Sequence, residues 1–115
     1  MQKAYRLRKN KQFQFVYRSG KRVSNPSLTL LCAKGRGVHI GFSISKKVGK
    51  AHTRNLVKRR LRAAVAPCLG QMQDGQYVVM VRPVCADMDF HQLKTSLMSL
   101  LNRAKVLNGA KSQSK

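Results

Sequence analysis

The residues best equipped for chemistry crowd into one run, "KKVGKAHTRNLVKRRLR" over positions 46–62. Eight of its seventeen side chains are Lys or Arg, and none is acidic. Cations at this density do not transfer protons at neutral pH. They neutralise anions, and phosphate is the anion that Lys and Arg hold best. Spacing sharpens this. Arg54, Lys58 and Arg62 recur every fourth residue, so on a helix they form one flank about 12 Å long. Asn55 and Arg59 extend that flank around the helix. Val57, Leu61, Ala64, Val65 and Cys68 fall on a separate apolar stripe. The segment therefore reads as an amphipathic helix, docked on one side and cationic on another.

The groups needed for hydrolysis by protein side chains are scarce. The chain has three acids, Asp74, Asp87 and Asp89, and three histidines, His39, His52 and His91. Asp74 precedes Gly75 in a turn, while Asp87 and Asp89 flank a helix start. No two histidines are spaced as a pair, so His39 and His91 read as ordinary residues. His52 stands among cations. Two-metal sites use several carboxylates, and general acid–base catalysis needs a positioned pair. Neither pattern occurs, and "KGRG" is too short for a phosphate-binding P-loop. We expect no catalytic residue and no metal ligand in the protein itself. Cys32, Cys68 and Cys85 are odd in number and lack CxxC spacing, so they read as reduced, mostly buried thiols of a cytoplasmic protein.

The whole composition follows the same bias. Of 115 residues 24 are Lys or Arg, giving a net charge of +21. Residues 1–73 hold 18 of these cations and no acid. Such a field repels itself and implies an external polyanion, nucleic acid before an anionic membrane surface. A hydrophobic fraction of 43% is enough for a packed core, which excludes a disordered basic tail. No run of 18 apolar residues suggests a membrane span, and "MQKAYRLRKNKQF" lacks the apolar stretch of a secretory signal.

The elements that must position these groups can be traced by periodicity. "NKQFQFVYRSG" reads as a helix with Asn10 as N-cap and Gly20 as its stop. Phe13, Val16 and Tyr17 share one of its faces, and Phe15 points elsewhere as the better core candidate. Phe13 and Tyr17 stand among Lys9, Lys11 and Arg18. Aromatic faces interleaved with cations suit single-stranded nucleic acid, although the same spacing also suits a core. In "SLTLLCAKGRGVHIGFSIS" the centre Gly35-Arg36-Gly37 predicts a hairpin turn. Its second arm alternates Val38, Ile40, Phe42 and Ile44 with His39, Gly41, Ser43 and Ser45, as a half-buried strand does. Pro26 marks a strand start or edge. Thr53 is the expected cap of the basic helix, which runs to about Ala66 before Pro67. "QYVVMVRP" predicts a strand covered on at least part of both faces. A last helix, capped by Asp89, carries Leu93, Leu97, Leu100, Leu101 and Ala104 on its apolar side. The expectation is one α+β RNA-binding domain over 1–106, in the order αβββαβα with one sheet, and a disordered basic tail over 107–115.

Like charges four apart destabilise an isolated helix by roughly 0.2–0.5 kcal/mol per pair. Arg54/Lys58 and Lys58/Arg62 thus cost about a kilocalorie per mole before screening. Burial of Val57, Leu61 and Val65 returns ~1.5–3 kcal/mol each. The helix folds despite its charge, so the charge has another purpose.

Taken together, "FSISKKVGKAHTRNLVKRRLR" resembles the signature of the bacterial ribonuclease P protein subunit. That pattern is a strand ending in Lys-Lys, a short loop, and a helix of the form Ala-x-x-Arg-Asn-x-x-Lys-Arg-x-x-Arg. The matching residues are Lys46, Lys47, Ala51, Arg54, Asn55, Lys58, Arg59 and Arg62. The "F-x-x-V-Y" of the first helix, the "YVVMVRP" strand and the chain length also fit, and the likeness covers residues 5–106. It implies a ribosomal-protein-like fold whose mixed sheet carries the basic helix in a left-handed βαβ crossover, against the usual hand. It implies a non-catalytic subunit of a ribonucleoprotein endonuclease that removes the 5′ leader of precursor tRNA. In that family the RNA subunit performs the hydrolysis with Mg²⁺ held mainly by RNA and substrate. Lys46, Lys47, Lys50, Arg54, Asn55, Lys58, Arg59 and Arg62 correspond to its contacts with the catalytic RNA. Phe13 and Tyr17 correspond to aromatic positions in a cleft that takes the single-stranded leader, with Gly41, Ser43 and Ser45 as its floor. The implied protein is cytoplasmic and monomeric outside the particle. The sequence departs from the family at Leu56, where Arg is frequent, and around Leu30–Cys32, where some members have an aromatic. A ribosome-associated or general RNA-binding protein of the same fold class is the alternative. A self-sufficient nuclease is a third class, disfavoured by the missing catalytic groups.

Overall fold

A computed structural model describes residues 5–7 and 9–107. The element order is α1 (Asn10–Ser19), β1 (Lys21–Ser24), β2 (Leu28–Ala33), β3 (Val38–Ile44), α2 (Ala51–Val65), β4 (Gly75–Val81) and α3 (Phe90–Arg103). Short 3₁₀ turns at Lys46–Val48, Ala66–Gln71 and Pro83–Asp87 lead into or out of the last three elements. The fold is α+β with one mixed four-stranded sheet, as the sequence implies, in the order β1-β2-β4-β3. β1 and β2 pair antiparallel, as do β2 and β4, while β3 and β4 pair in parallel. β3, α2 and β4 thus form a βαβ unit whose strands are direct neighbours.

Side-chain alternation along the strands separates two layers. On one face, Leu28, Leu30, Ile40, Phe42, Tyr77, Val79 and Val81 pack with α2 and α3 into the main core. Val57, Leu61, Ala64 and Val65 of α2, and Leu93, Leu97, Leu100 and Leu101 of α3, are the buried helix residues. These are the stripes that the 3.6-residue period predicts, except that Cys68 and Ala104 lie beyond the helix ends and are only partly buried against the core. On the other face a small cluster of Leu7, Val16, Leu31 and Val78 lies under α1, with Phe13 and Ala33 at its margin. The N-terminal segment joins the sheet as well. Arg6 bridges Ile40 in parallel, and the Leu7 N–H donates to the Ile40 carbonyl at 3.0 Å.

Several expectations change. The predicted hairpin at Gly35–Gly37 does not form, because β4 lies between β2 and β3. The physical reason is the apolar run of β4. Tyr77, Val78, Val79 and Val81 are all buried, which requires a strand on each side and cover on both faces. Residues 34–37 instead pass beside the start of β4. Gly37 takes a left-handed φ of 66° and its carbonyl accepts from the Gly75 N–H at 2.8 Å. The antiparallel hairpin is β1–β2, closed at Pro26. Its turn is held by Asn25, whose side-chain oxygen accepts from the N–H groups of Ser27 and Leu28 and whose amide donates to Ser96 of α3.

Phe15 is 40% exposed and is not core; Val16 is the buried residue of α1. Phe15 lies about 100° around the helix from Val16 and so faces away from the sheet. Lys9, not Asn10, occupies the cap of α1, with its N–H bonded to the Gln12 side chain at 3.1 Å. α2 begins at Ala51 with Lys50 as its cap, so Thr53 falls inside the first turn, against Gly49. The chain leaves α2 through the 3₁₀ turn that contains Pro67. Asp89 caps α3 as expected, accepting from the Gln92 N–H at 2.8 Å. Val106 and Leu107 are buried and Leu107 bridges Met72, so packing continues through Leu107. The rest of the expected tail, 108–115, lies outside the described residues.

Candidate nucleic-acid interface

β3 places the site. Its even-numbered side chains enter the main core, while Gly41 faces α1 from the middle of the strand. Phe13 occupies the space that a side chain at 41 would fill. A Cβ there would stand 2.5 Å from the tip of the Phe13 ring and 3.1 Å from Leu7 Cβ. The small face read from the sequence is thus a seat for the aromatic itself. Phe13 remains half-buried, and Tyr17, one turn further along α1, is 41% exposed. Their ring centroids lie 6.5 Å apart with planes tilted by 44°. The periodicity left core and platform open for this pair. The structure gives Phe13 one face of each kind and leaves Tyr17 on the surface.

Beyond α1 the same sheet face is only partly covered. Met80 of β4 and its β3 partner Ser43 remain accessible, with Met80 36% exposed. Leu31, in the stretch where an aromatic was missed, is buried under α1. An aromatic there would have to share that space with Val16.

The cations of the basic segment divide by position. Lys46 and Lys47, in the 3₁₀ turn, and Lys50, Asn55 and Arg59 are exposed. Arg54 is half-buried because its Nε donates to the Gly49 carbonyl at 3.2 Å, tying the helix to the turn before it. Arg60, which the cationic flank did not include, reaches the Met88 carbonyl at 2.9 Å and fastens α2 to the turn before α3. Lys58 and Arg62 are half-buried and turn toward β3. There they line a cleft of about 270 Å³ with Phe13, Gly41, Leu7 and Arg6. Two cations of the α2 flank, Lys58 and Arg62, and the aromatic Phe13 of α1 therefore meet in one cleft at the edge of β3.

Electrostatics in this cleft is unfavourable to the protein alone. Burial, then Arg62, then Arg6 hold Lys58 below the usual lysine range. Burial and then Arg6 act on Arg62 in the same direction. Among the described residues, the buried Nε atoms of Arg6 and Arg62 have no hydrogen-bond partner. Arg6 is the residue that sequence reasoning missed. In the sequence it is one cation among many, and only its pairing beside β3 brings it to Lys58 and Arg62.

The histidines and acids lie elsewhere. His39 is half-buried on β3, His52 is exposed in the first turn of α2, and His91 borders a groove beside α3. Among the described residues, no three His, Cys, Asp or Glu side chains come together as metal ligands. Asp74, Asp87 and Asp89 lie at the entry to β4 and before α3, and none lines the cleft. This donor set does not fit a Mg²⁺ site built by the protein. Among the described residues, no helix is long and apolar enough to cross a membrane.

Comparison with known proteins gives a family and a fold. A family model described as Ribonuclease P matches residues 1–105. The ribonuclease P protein component of Listeria monocytogenes is 37% identical over 119 aligned positions, covering 100% of both chains. Among solved structures, a Staphylococcus aureus RNase P protein mutant described as defective in mRNA degradation activity superposes with a TM-score of 0.87. It is 32% identical, over 91% of this chain and 92% of its own. The RNase P protein from Thermotoga maritima gives a TM-score of 0.76 at 28% identity, over 85% and 96% of the two chains. With a family match over nearly its whole length, relatives covered in full and a shared fold, the chain belongs to the ribonuclease P protein family.

Proposed function

We propose that this chain is the RNA-binding subunit of a ribonuclease P particle, assisting removal of the 5′ leader from precursor tRNA. The observation that carries the reading is the meeting of Phe13, seated on Gly41, with Lys58 and Arg62 in one acid-free cleft. A stacking surface next to cations is what a single strand entering the particle needs. The exposed cations Lys46, Lys47, Lys50 and Arg59, with Asn55, extend from that cleft along α2 as the contact with the catalytic RNA. Arg54 adds its remaining nitrogens. Phe13 and Tyr17 receive the leader. Hydrolysis belongs to the RNA, whose phosphates would hold the Mg²⁺ that activates water. The protein positions the substrate and neutralises charge, as a cytoplasmic monomer that joins the particle.

One assay tests this. The purified protein is added to precursor tRNA at low Mg²⁺ with and without the catalytic RNA. The expected result is faster leader removal only when both are present. Cleavage of precursor tRNA or of mRNA by protein alone would overturn the non-catalytic role. No gain over RNA alone would favour a general RNA-binding protein. Arg59→Ala should also lower the slope of log K against log salt by roughly 0.7–0.9 for binding to the catalytic RNA. An unchanged slope would remove Arg59 from the phosphate contacts.

A further inference from the structure

The cleft at the edge of β3 joins two cations of the family motif, Lys58 and Arg62, to one outside it, Arg6. Arg6 comes from the N-terminal segment, while Lys58 and Arg62 come from α2, more than fifty residues later. We propose that Arg6, Lys58 and Arg62 form a built seat for a single phosphate group, directly beside the Phe13 ring.

Four observations converge on it. First, the three cations line the same cleft of about 270 Å³, roomy enough for a phosphate and its water. Second, both guanidinium groups keep a buried Nε–H without an acceptor among the described residues. A buried donor left unpaired is costly, and a phosphate oxygen supplies the missing acceptor in the geometry that guanidinium favours. Third, the cations disfavour one another's charge, Arg6 acting on Lys58 and Arg62 and Arg62 on Lys58. An anion between them reverses the sign of the interaction for all three. Fourth, the arrangement is held by backbone rather than chance. The pairing of Arg6 with Ile40 and the Leu7-to-Ile40 hydrogen bond fix one arm, and α2 carries the other two.

The seat also divides the work of α2. Lys58 and Arg62 serve the strand in the cleft, while Lys46, Lys47, Lys50 and Arg59 stay exposed on the outer surface. The chemistry recognised is a phosphate oxyanion. Its source is an internucleotide phosphate of single-stranded RNA, whose neighbouring base reaches Phe13. That assignment of source rests on the RNA-binding reading above.

The test is a titration of the full-length protein followed by NMR of the arginine Nε–H groups and the Phe13 ring. The probes are inorganic phosphate and the dinucleotide uridylyl-uridine, which carries one internucleotide phosphate. Inorganic phosphate should shift the Nε–H signals of Arg6 and Arg62. Arg6→Gln and Arg62→Gln should each weaken phosphate binding about tenfold, as loss of a charge-assisted contact does. Lys94→Gln removes one exposed charge on α3 and should change it less than about twofold. Silent Nε–H signals in the unmodified protein would overturn the seat, whether or not any variant folds. Equal weakening by all three variants would overturn it too, by reducing the effect to net charge. The dinucleotide should bind more tightly than phosphate and move the Phe13 ring signals. A dinucleotide that does neither would assign the seat to free anions and refute the RNA source. Loss of the phosphate response with intact stimulation of leader removal would refute the seat alone. A phosphate response without stimulation would refute the subunit reading alone.

Discussion

The two faces of the sheet are built from the same strands yet serve opposite ends. On β4, Tyr77, Val79 and Val81 point to the α2/α3 side and are all buried. Gln76, Val78 and Met80 point the other way, and only Val78 is buried. One face buries Leu61, Leu93, Leu97, Leu100 and Leu101 completely. The other is crossed by a ten-residue helix with a single buried residue. Stability is therefore concentrated on one side, which lets the other stay open and meet α2 around the edge of β3 in a charged, partly unsatisfied cleft. A strongly cationic chain tolerates that arrangement only because the closed face carries most of the folding energy.

The largest expected effect tests that division from the closed side. Leu61 is fully buried in α2, directly behind the cationic flank. Leu61→Ala should cost about 2–5 kcal/mol in chemical denaturation, through lost contact and the cavity left behind. Once folded at saturating ligand, the variant should bind RNA with a near-normal salt slope. A cost below about 1 kcal/mol would mean that the closed face is not the main store of stability.

The next test works from the open side. Gly41→Ala places a Cβ where the Phe13 ring sits, 2.5 Å from its tip. The ring terminates a flexible side chain and can swing out, so the stability cost should stay within about 1–3 kcal/mol. Single-stranded leader binding should fall nonetheless, because the stacking surface is displaced. Phe13→Ala should then weaken binding of leader-bearing substrate by ~1–3 kcal/mol and leave mature tRNA unaffected. If Gly41→Ala keeps full leader affinity, Phe13 is not held for stacking by its seat on β3. If Phe13→Ala weakens both substrates equally and lowers the melting temperature, Phe13 belongs to the small core.

The closed face was the more legible of the two in sequence, for a physical reason. Its helices bury side chains at a fixed period, so Val57, Leu61, Leu93 and Leu97 identify themselves locally. The Asp89 cap is also local, a side chain bonding to a backbone three residues on. What failed was non-local. Nothing in residues 28–44 alone says that β4 will enter between β2 and β3, and a Gly-rich connector resembles a hairpin turn whichever strand comes next. Phe15 and Phe13 differ only in phase, and α1 is too short for its pattern to fix that phase. Most of the cationic site followed from spacing and from the family motif. Arg6 did not, because it reaches the cleft by pairing beside a strand more than thirty residues away.

The smallest effect contrasts the faces through titration. Cys32 lies on the closed face of β2, opposite Tyr77 of β4. Burial pushes its thiol up to about 11, with Lys21 opposing weakly. The folded protein therefore keeps the Cys32 proton where the unfolded chain, with a thiol near 9.0, has lost it. Its contribution is constant below that value and is lost as pH climbs from about 9 toward 11. Lys58, at the cleft, has the opposite sign. Its folded-state value lies below 10.5, so it weakens the fold at neutral pH and ceases to do so as it deprotonates. Denaturation at pH 8, 9.5 and 11 separates the two. Cys32→Ser should reduce the alkaline loss by about 1 kcal/mol, allowing for partial exposure of the thiol. Lys58→Met should instead stabilise the protein at pH 8 and lose that advantage by pH 11. Identical pH profiles for the two variants would mean that the cleft carries no electrostatic strain distinct from the core, and the contrast between the faces would reduce to packing alone.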